Sequence, residues 1–495
     1  MLKEPATGLP ATASRTGAST RLAPGSSTII IVILVATFVV VLNETIMSIA
    51  LPTLIVELDI SPSTAQWLTT GFALTLAVVI PTTGFLSDRF STRTVFIVAM
   101  SLFSIGTATA AAAPSFPVLL IGRLVQALGT GMMIPLLSTS VLLLVPQGSR
   151  GRMMGYTGIV IAAAPAIGPP LSGLILDVLS WRFMFITVLP IALVTLGIGA
   201  FTLRSIGETR SASLDVPSVI LAAIGLSTFV FGLSSLVSAG GAALDSLGAL
   251  AVGLVSLTVF SIRQRRLARR GRALLNLRVF SSSTFTVATA CFAMSSLVLF
   301  GSLAVLPIYL QDVLHLSTLA TGLVLLPGGV TLGVLAPVVG RCYDRFGPSV
   351  LISCGAAIVS AALWLMWGLF SPTTGAALVI GLHVLLCAGL ACLFTPLTTS
   401  ALEHLPRRLY AHGNAVISTV QQVMAGAGTA ILVGVLAASA TAHESSGVPA
   451  VSATTSGVRA AVLVGALASL IPLGGSFVFY RLNDRQRYRP RRGSR

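Results

Sequence analysis

The chain has 495 residues, of which 55% are hydrophobic and 9% charged, and its formal net charge is +16. Soluble globular proteins average about 25% charged residues, so this composition excludes a soluble domain and predicts a polytopic membrane protein. The apolar stretches run for roughly 20 residues without polar alternation, which excludes a barrel of alternating strands and predicts helices.

Fourteen apolar segments predict an all-α fold with 14 transmembrane helices. Residues 1–27, rich in Ser, Thr, Ala, Gly and Pro, predict a disordered cytoplasmic tail. We divide the rest into an N-terminal six-helix half (28–210), a two-helix insert with a basic cytoplasmic loop (211–272), a C-terminal six-helix half (273–480) and a basic cytoplasmic tail (481–495).

The positions of the positive charges indicate on which side of the membrane each loop lies. Of the 30 Lys and Arg residues, 27 fall in the two tails and in alternate loops. Cytoplasmic loops retain Lys and Arg, so both termini of a multi-pass cell-membrane protein are predicted to lie in the cytoplasm, and no nucleic-acid partner is expected. The basic run from Arg263 to Arg272 is interpreted as a positive-inside anchor, with contact to anionic membrane lipid as the alternative.

Several kinds of chemistry leave no trace in the sequence. The five cysteines lie in or beside apolar segments without metal-like spacing to histidine, so neither disulfides nor a metal site are predicted. No ATP-binding loop of the form GxxxxGK[ST] exists. No cluster of catalytic groups is evident, so we expect no enzyme and no cofactor other than protons as the coupling ion.

Two charged residues lie inside apolar segments. Glu44 is the one acid within a predicted helix, at a depth where a charge costs roughly 2.5–3.5 kcal/mol and usually marks an ion or substrate pathway. Counted from Pro52 and Pro117 at ~1.5 Å per residue, Glu44 and Arg123 lie at similar depth. We predict that they share a hydrated cavity, directly or through water. The alternative is that Arg123 only bonds helix backbone and packs its half.

An internal repeat supports two halves. The sequence Gly84-x-x-x-Asp88 follows the second predicted helix, and Gly340-x-x-x-Asp344 follows the tenth. Repeated halves around a midplane cavity are typical of secondary transporters.

Four motifs carry a resemblance to a known family. Gly84–Thr94 resembles the signature between helices 2 and 3 of the major facilitator superfamily, and Gly122–Gly129 resembles its second motif. Pro165–Gly173 resembles the antiporter motif of that superfamily. Fourteen helices together with Leu42–Pro52 and Gln66-Trp67 resemble the 14-spanner drug:proton antiporters, and within them the lincomycin-resistance-like branch. The resemblance implies the major facilitator fold.

The resemblance also implies roles for named residues. The predicted proton-coupling and substrate site comprises Glu44, Arg123, Asn43 and Gln126. A conformational latch that closes the cytoplasmic side comprises Gly84, Asp88, Arg89, Arg93, Asp344 and Arg345. In this latch Arg89 and Arg93 are the expected partners of Asp88, and the alternative is that Asp88 simply caps the next helix. An antiporter motif that limits proton leak between the halves comprises Pro165, Gly168, Pro169, Pro170 and Gly173, and the alternative is helix packing alone.

The sequence departs from the family pattern twice. Glu44 stands where many 14-spanner exporters have Asp, which changes the reach of the carboxylate. Arg341 and Cys342 stand in the second loop where the first has Phe85 and Leu86, so the second copy is predicted to serve packing alone.

Polar, aromatic and sulfur-containing side chains in other helices are weaker candidates. Those that could line an adaptable cavity are Met47, Trp364, Trp367, Asn414, Gln421, Gln422 and Met424. The alternative for each is packing or a helix hydrogen bond. His383 is a proton relay or, by the alternative, a core histidine. The other four histidines, including His412, lie in or near loops and indicate no function.

The sequence thus predicts a proton-driven exporter of amphipathic, cationic compounds. The alternative is a proton-coupled exporter of a small endogenous metabolite or amino acid. Drug-like small molecules, protons and membrane lipid are the expected partners, and no obligate protein partner is evident.

Overall fold

The computed structural model describes residues 26–203, 215–238, 243–270 and 273–487. Within these ranges the chain forms fourteen long α-helices and no β-strand. The helices are α1 (Ser26–Glu57), α2 (Pro62–Arg89), α3 (Thr92–Ala111), α4 (Phe116–Leu144), α5 (Arg150–Val178), α6 (Phe183–Thr202), α7 (Val216–Ser238), α8 (Ala243–Arg269), α9 (Ser283–Ile308), α10 (Thr318–Phe346), α11 (Pro348–Leu369), α12 (Ala376–Glu403), α13 (Tyr410–Ser445) and α14 (Ala450–Arg487). By length and composition of the described residues, thirteen of them can cross a membrane.

Serine side chains start several of these helices. Ser61 accepts a hydrogen bond from the Thr64 N–H at 3.1 Å, and Ser91 accepts one from the Thr94 N–H at 3.2 Å. Ser317 does the same for α10. The first N–H groups of a helix have no partner within the helix, so each serine satisfies a donor that water would otherwise have to satisfy.

The helices pack as two equivalent sets of six. In the first set α3 packs on α4, α1 on α5 and α3 on α6. In the second set α11 packs on α12, α9 on α13 and α11 on α14, which are the same pairs one repeat later. The predicted all-α fold of two six-helix halves with a two-helix insert is confirmed.

The halves meet at two equivalent interfaces. Helix α5 packs on α10 and α2 packs on α13, so each interface pairs the second helix of one half with the fifth helix of the other. Helices α7 and α8 form a pair of their own, and α7 also packs against α2 and α13. The insert therefore covers one interface and leaves the other uncovered by it.

Glycine brings α5 and α10 into backbone contact. A Cβ added to Gly151 would lie 2.6 Å from the Gly340 carbonyl oxygen, and one added to Gly155 would lie 2.5 Å from the Ala336 carbonyl oxygen. Both separations are far inside van der Waals contact, so these positions require glycine. Small residues at four-residue spacing permit this close approach of helices.

Both ends of the described chain differ from the expected boundaries. Helix α1 begins at Ser26, inside the predicted tail 1–27, and residues 1–25 lie outside the described residues. Helix α14 continues to Arg487, inside the predicted tail 481–495, and residues 488–495 lie outside the described part. The basic run stays helical to Arg269.

An even number of helices places the start of α1 and the end of α14 on the same side of the bundle. We call this side the terminal face. Helices α2, α4, α10 and α12 end there, and α3, α5, α11 and α13 begin there.

Candidate functional site

Arg123 lies in the core of the N-terminal half with 1% of its surface exposed. Its NH1 group donates to the side-chain oxygens of Asn43 at 2.9 Å and Gln126 at 3.0 Å. Gln126 in turn donates to the hydroxyl of Thr107 at 2.8 Å. These bonds join α1, α3 and α4, so Asn43 and Gln126 hold the guanidinium in place. Both amides are themselves almost wholly buried.

The Arg123 guanidinium also lies over the Phe72 ring of α2, with its central carbon 4.2 Å from the ring centroid. The negative face of an aromatic ring attracts a cation, more strongly where water is excluded. The Nε atom of Arg123 is buried without a hydrogen-bond partner among the described residues. The site therefore holds a fixed positive charge, because arginine stays protonated in proteins.

Glu44 follows Asn43 on α1 and is half-buried. Its carboxylate interacts electrostatically with Arg123, but the described structure shows no ion pair between them. No described residue donates a hydrogen bond to this carboxylate, whereas Arg123 is held by neutral amides. The predicted neighbourhood of the two charges is thus present without direct pairing, and Glu44 remains open to a proton or a ligand.

The antiporter motif lies on α5, whose helix continues through residues 165–173. Gly168 faces α1, where a Cβ would collide with Thr45, and the Thr45 hydroxyl donates to the Ala164 carbonyl at 3.3 Å. This contact is inside the N-terminal half. The glycines of α5 that face the other half are Gly151, Gly155 and Gly158. At Gly168 the structure thus shows packing within one half, and the side chains of Pro165, Pro169, Pro170 and Gly173 lie outside what it describes.

Asp88 bonds across the two halves, but not to the predicted partners. Its Oδ2 atom lies 3.0 Å from Nε2 of His412 on α13. Arg89 and Arg93 are exposed and make no hydrogen bond or ion pair with described residues, so the prediction that they pair with Asp88 is wrong. The alternative of a simple cap is also wrong, since Ser91 caps α3. We call the Asp88 and His412 contact the first latch.

Asp344 makes the equivalent contact at the other interface. Its two carboxylate oxygens accept hydrogen bonds from the N–H groups of Gly151 and Arg152 at the start of α5, each at 2.8 Å. A carboxylate at a helix N-terminus satisfies unpaired donors and meets the positive end of the helix dipole. The prediction that this copy serves packing alone is therefore wrong. We call this contact the second latch. Arg345 takes no part in it and stacks on the neighbouring Phe346 ring.

Arg150 adds an ionic contact between the halves. It donates to the carbonyls of Leu142 at 2.8 Å and Val145 at 3.1 Å, which anchors it to the end of α4. Its NH1 group lies 3.8 Å from Glu403 of α12. Glu403 also accepts a hydrogen bond of 2.7 Å from the Tyr343 hydroxyl. Because the Arg150 side chain is 4% exposed and that of Glu403 is 19% exposed, this contact is largely shielded from water.

Asn414 belongs to the same layer. Its amide donates to the Pro135 carbonyl of α4 at 2.9 Å and to the Thr139 hydroxyl at 3.4 Å, and the residue is 2% exposed. The prediction that Asn414 lines a cavity is corrected, because it joins the halves instead. The hydrogen bonds between halves that the described residues show all lie at or near the terminal face, so the protein is closed there.

Burial along α13 changes abruptly beyond this layer. Residues 410–418 are all buried, whereas residues 419–426 are all half-buried. Gln421 and Gln422 lie in the second stretch and make no hydrogen bond with described residues. Met424 lies there too and packs partly against the core of its half. These three side chains remain candidates for a cavity between the halves.

Three other cavity candidates lie elsewhere. Trp364 and Trp367 form an edge-to-face pair on α11, which packs on α12 and α14 and is not among the helices that meet the N-terminal half. Met47 is 1% exposed within the N-terminal core. The cavity prediction is corrected for these residues. An apolar side chain of a membrane helix can contact either lipid or the protein core, and the sequence does not show which of the two it contacts.

His412, Arg150 and Glu403 were missed because they lie at helix ends, where charged residues are common. The internal repeat does contain a signal for the partners of the two acids. Asp88 and Asp344 are each the 27th residue of their helices, and Arg152 and His412 are each the third residue of theirs. Once two halves related by a repeat are assumed, the mate of each acid can be looked for at the start of the fifth helix of the other half.

Two repeated six-helix halves, closed at one face and carrying a buried cation beside a half-buried carboxylate, define a membrane transporter. The sequence profile of the Major Facilitator Superfamily matches residues 33–429. The chain belongs to the Major Facilitator Superfamily, as its motifs predicted.

Its relatives include resistance proteins. The lincomycin resistance protein LmrB of Bacillus subtilis is 39% identical over 412 residues, which cover 83% of this chain and 85% of that protein. The multidrug resistance protein B homolog of Mycobacterium tuberculosis is 31% identical over 393 residues, which cover 79% of this chain and 72% of that protein.

A solved structure shares the fold. The crystal structure of the human organic anion transporter MFSD10 (TETRAN) matches with a TM-score of 0.64 at 16% identity, covering 92% of this chain and 100% of that one. At this identity the likeness concerns the fold alone.

Proposed function

We propose that this protein exports amphipathic, cationic drug-like compounds in exchange for protons, with the terminal face in the cytoplasm. The observation that carries the proposal is the state of Glu44. It is a half-buried carboxylate without a hydrogen bond from a described residue, next to a cation that neutral amides hold in place. Such a group can bind either a proton or a cationic ligand, which is what exchange at one site requires.

The relatives support the class of substrate. Two of them bear the names lincomycin resistance protein and multidrug resistance protein, and a third, from Streptomyces glaucescens, bears the name tetracenomycin C resistance and export protein at 29% identity. The distribution of Lys and Arg supports the orientation, since it matches a cytoplasmic terminal face.

The cycle follows from the closed terminal face. With that face closed, Glu44 takes up a proton from the opposite side of the membrane. Once the halves rock and the terminal face opens, the proton leaves and the carboxylate binds a cationic compound from the cytoplasm. Once Glu44 is protonated it carries no charge, and the positive charge of Arg123 then repels a cationic drug. A proton and a drug therefore do not occupy the site together.

The test is a transport assay in proteoliposomes with an imposed pH gradient and a panel of cationic and neutral drugs. We expect the wild-type protein to exchange cationic drugs for protons across the membrane. Glu44→Gln keeps the size and polarity of the side chain but cannot ionise, so it should lose pH-driven exchange by at least ~100-fold.

Glu57→Gln is the matched control, because Glu57 lies on the same helix and is exposed. It should exchange drug for protons at the wild-type rate. Wild-type exchange by Glu44→Gln would refute proton coupling through Glu44. Transport of amino acids but none of the drugs would refute the proposed substrate class.

A further inference from the structure

His412 contacts three parts of the chain at once. It is the third residue of α13 and is 3% exposed. Its Nε2 atom bonds to Asp88 in the N-terminal half at 3.0 Å. Its Nδ1 atom bonds to the backbone N–H of Asn276, in the segment that follows the insert, at 3.4 Å. Gly84 leaves room for the ring, since a Cβ there would lie 2.5 Å from Nδ1.

These partners define the tautomer of the neutral ring. The Asn276 N–H can only donate, so Nδ1 must accept and carries no hydrogen. Nε2 then carries the hydrogen and donates it to the Asp88 carboxylate. In this form the neutral ring satisfies both of its nitrogens.

We infer that His412 is a proton-binding site that controls the gate at the terminal face, such that a proton on Nδ1 strengthens the closed state. With the second proton the ring becomes a cation, and its hydrogen bond to the Asp88 carboxylate becomes an ion pair between opposite charges. Nδ1 can then no longer accept from Asn276. The nearby opposite charge of Asp88 favours this cation, whereas burial of the ring and the loss of the Asn276 bond, the longer and weaker of the two, oppose it.

Histidine suits this role because it is the side chain that ordinarily changes charge between about pH 5 and 8. The second latch has no histidine among the described residues. There Asp344 accepts from two backbone N–H groups, which do not titrate. The two interfaces are thus equivalent in position, but only the first places a histidine against the acid of the repeat.

Other charged groups surround this end of α13. On the elements packed against it or adjoining it they are Arg89, Arg150, Asp215, Arg263, Arg278, Glu403, His404, Arg407, Arg408 and Arg481. Arg263 is paired with Asp215, and Arg150 lies against Glu403. The exposed arginines oppose a positive His412, but solvent and salt screen them. Asp88 is in contact with the ring and therefore dominates.

The consequence for transport rests on the proposed function. An exporter that admits protons acidifies the cytoplasm as it works. A proton on His412 would hold the terminal face closed when the cytoplasm becomes acidic, and would slow further proton entry. His412 would thus act as an acid brake on the exchanger, separate from the coupling carboxylate Glu44.

The gate can be tested without any transport. Spin labels at Thr94 and Arg407, both exposed at the terminal face, report the separation of the halves in protein whose five native cysteines have been replaced. Lowering the pH from about 8 to about 5.5 should raise the ratio of closed to open protein by about three- to tenfold in this background. His412→Gln and Asp88→Asn should each remove this pH response. Asp88→Asn leaves the histidine in place and so guards against a folding defect of His412→Gln.

His404→Gln is the matched control, because His404 lies at the same face and its Nδ1 bonds to the Ser400 carbonyl of its own helix. It should respond to pH as the parent does. A parent ratio that is flat or falls with acid overturns the inference, as does an unchanged response in His412→Gln. The labelled parent and all of its variants also carry Glu44→Gln, which removes the coupling carboxylate, so a failure of this test is distinct from a failure of the proposed exchange.

Discussion

The two latches occupy equivalent positions but use different chemistry. At the interface of α2 and α13, the acid of the repeat meets a histidine side chain. At the interface of α5 and α10, the acid meets two backbone N–H groups at a helix start. Helix packing follows the same split, because Gly151 and Gly340 bring backbones together, whereas Gly84 faces the His412 ring.

This difference separates a fixed interface from an adjustable one. Backbone donors keep their charge and position at any pH, and contacting backbones leave little room to relax. A side chain can rotate, titrate or be replaced. The insert helix α7 lies over the adjustable interface, and Asn276 connects that interface to the segment after the insert. The repeat therefore conserves where the halves meet, while the chemistry of each meeting point is free to diverge.

The largest expected effect breaks the fixed interface. In Gly340→Val the new Cβ would collide with the Gly151 carbonyl oxygen, which is backbone and cannot move aside. Overpacking of this kind costs typically 1–3 kcal/mol and occasionally more, and here we expect the upper end. The closed state should be lost, as measured by the separation of spin labels at Thr94 and Arg407. Gly84→Ala is the comparison, since its Cβ meets mainly a side chain that can rotate. Equal effects of the two would contradict the distinction between the interfaces.

A smaller effect is expected from neutralising the acid of the second latch. Asp344→Asn removes the charge and offers one acceptor in place of two, so one N–H of α5 loses its partner. The cost should be about 1–2 kcal/mol at neutral pH, as for lost helix caps. Thermal unfolding in detergent at about pH 7 measures it. A variant as stable as wild type would show that Asp344 does not cap α5.

The sequence predicted the fold and singled out the two charges inside apolar helices for identifiable reasons. Apolar runs and the positions of Lys and Arg determine the number and alternation of helices. Glu44 and Arg123 stood out because charges in apolar helices are rare, and counting from Pro52 and Pro117 placed them at similar depth. The bond between Arg123 and Asn43, the neighbour of Glu44, agrees with that estimate.

The partners of the latch residues were beyond the sequence alone. Asp88 and His412 are separated by most of the chain, and they meet because α2 packs on α13. Neighbouring arginines were the nearest candidates in sequence, yet they point to solvent. Similarly, Trp364 and Trp367 looked suitable for a cavity, but only the packing of α11 shows that they lie away from the other half.

The smallest expected effect concerns the insert beside the adjustable interface. Asp215 precedes α7 and accepts two hydrogen bonds from Arg263 of α8, each of 2.7 Å. These bonds are the main cause that lowers the pKa of Asp215, with help from Ser218 and against the effect of burial. A lowered pKa means that the ionised acid stabilises the fold above the ordinary aspartate value of about 3.9, and that this stability is lost as the pH falls below it.

Because the Arg263 side chain is 39% exposed, solvent screens the pair, and Asp215→Asn should cost less than about 1 kcal/mol at neutral pH. Thermal unfolding at about pH 7 and about pH 3 measures the difference, which should shrink in acid. Asp312→Asn, at an exposed aspartate far from the insert, should show no such change. A cost for Asp215→Asn that persists in acid would mean that the carboxylate acts by shape alone, and the charged contact would then have no part in anchoring the insert.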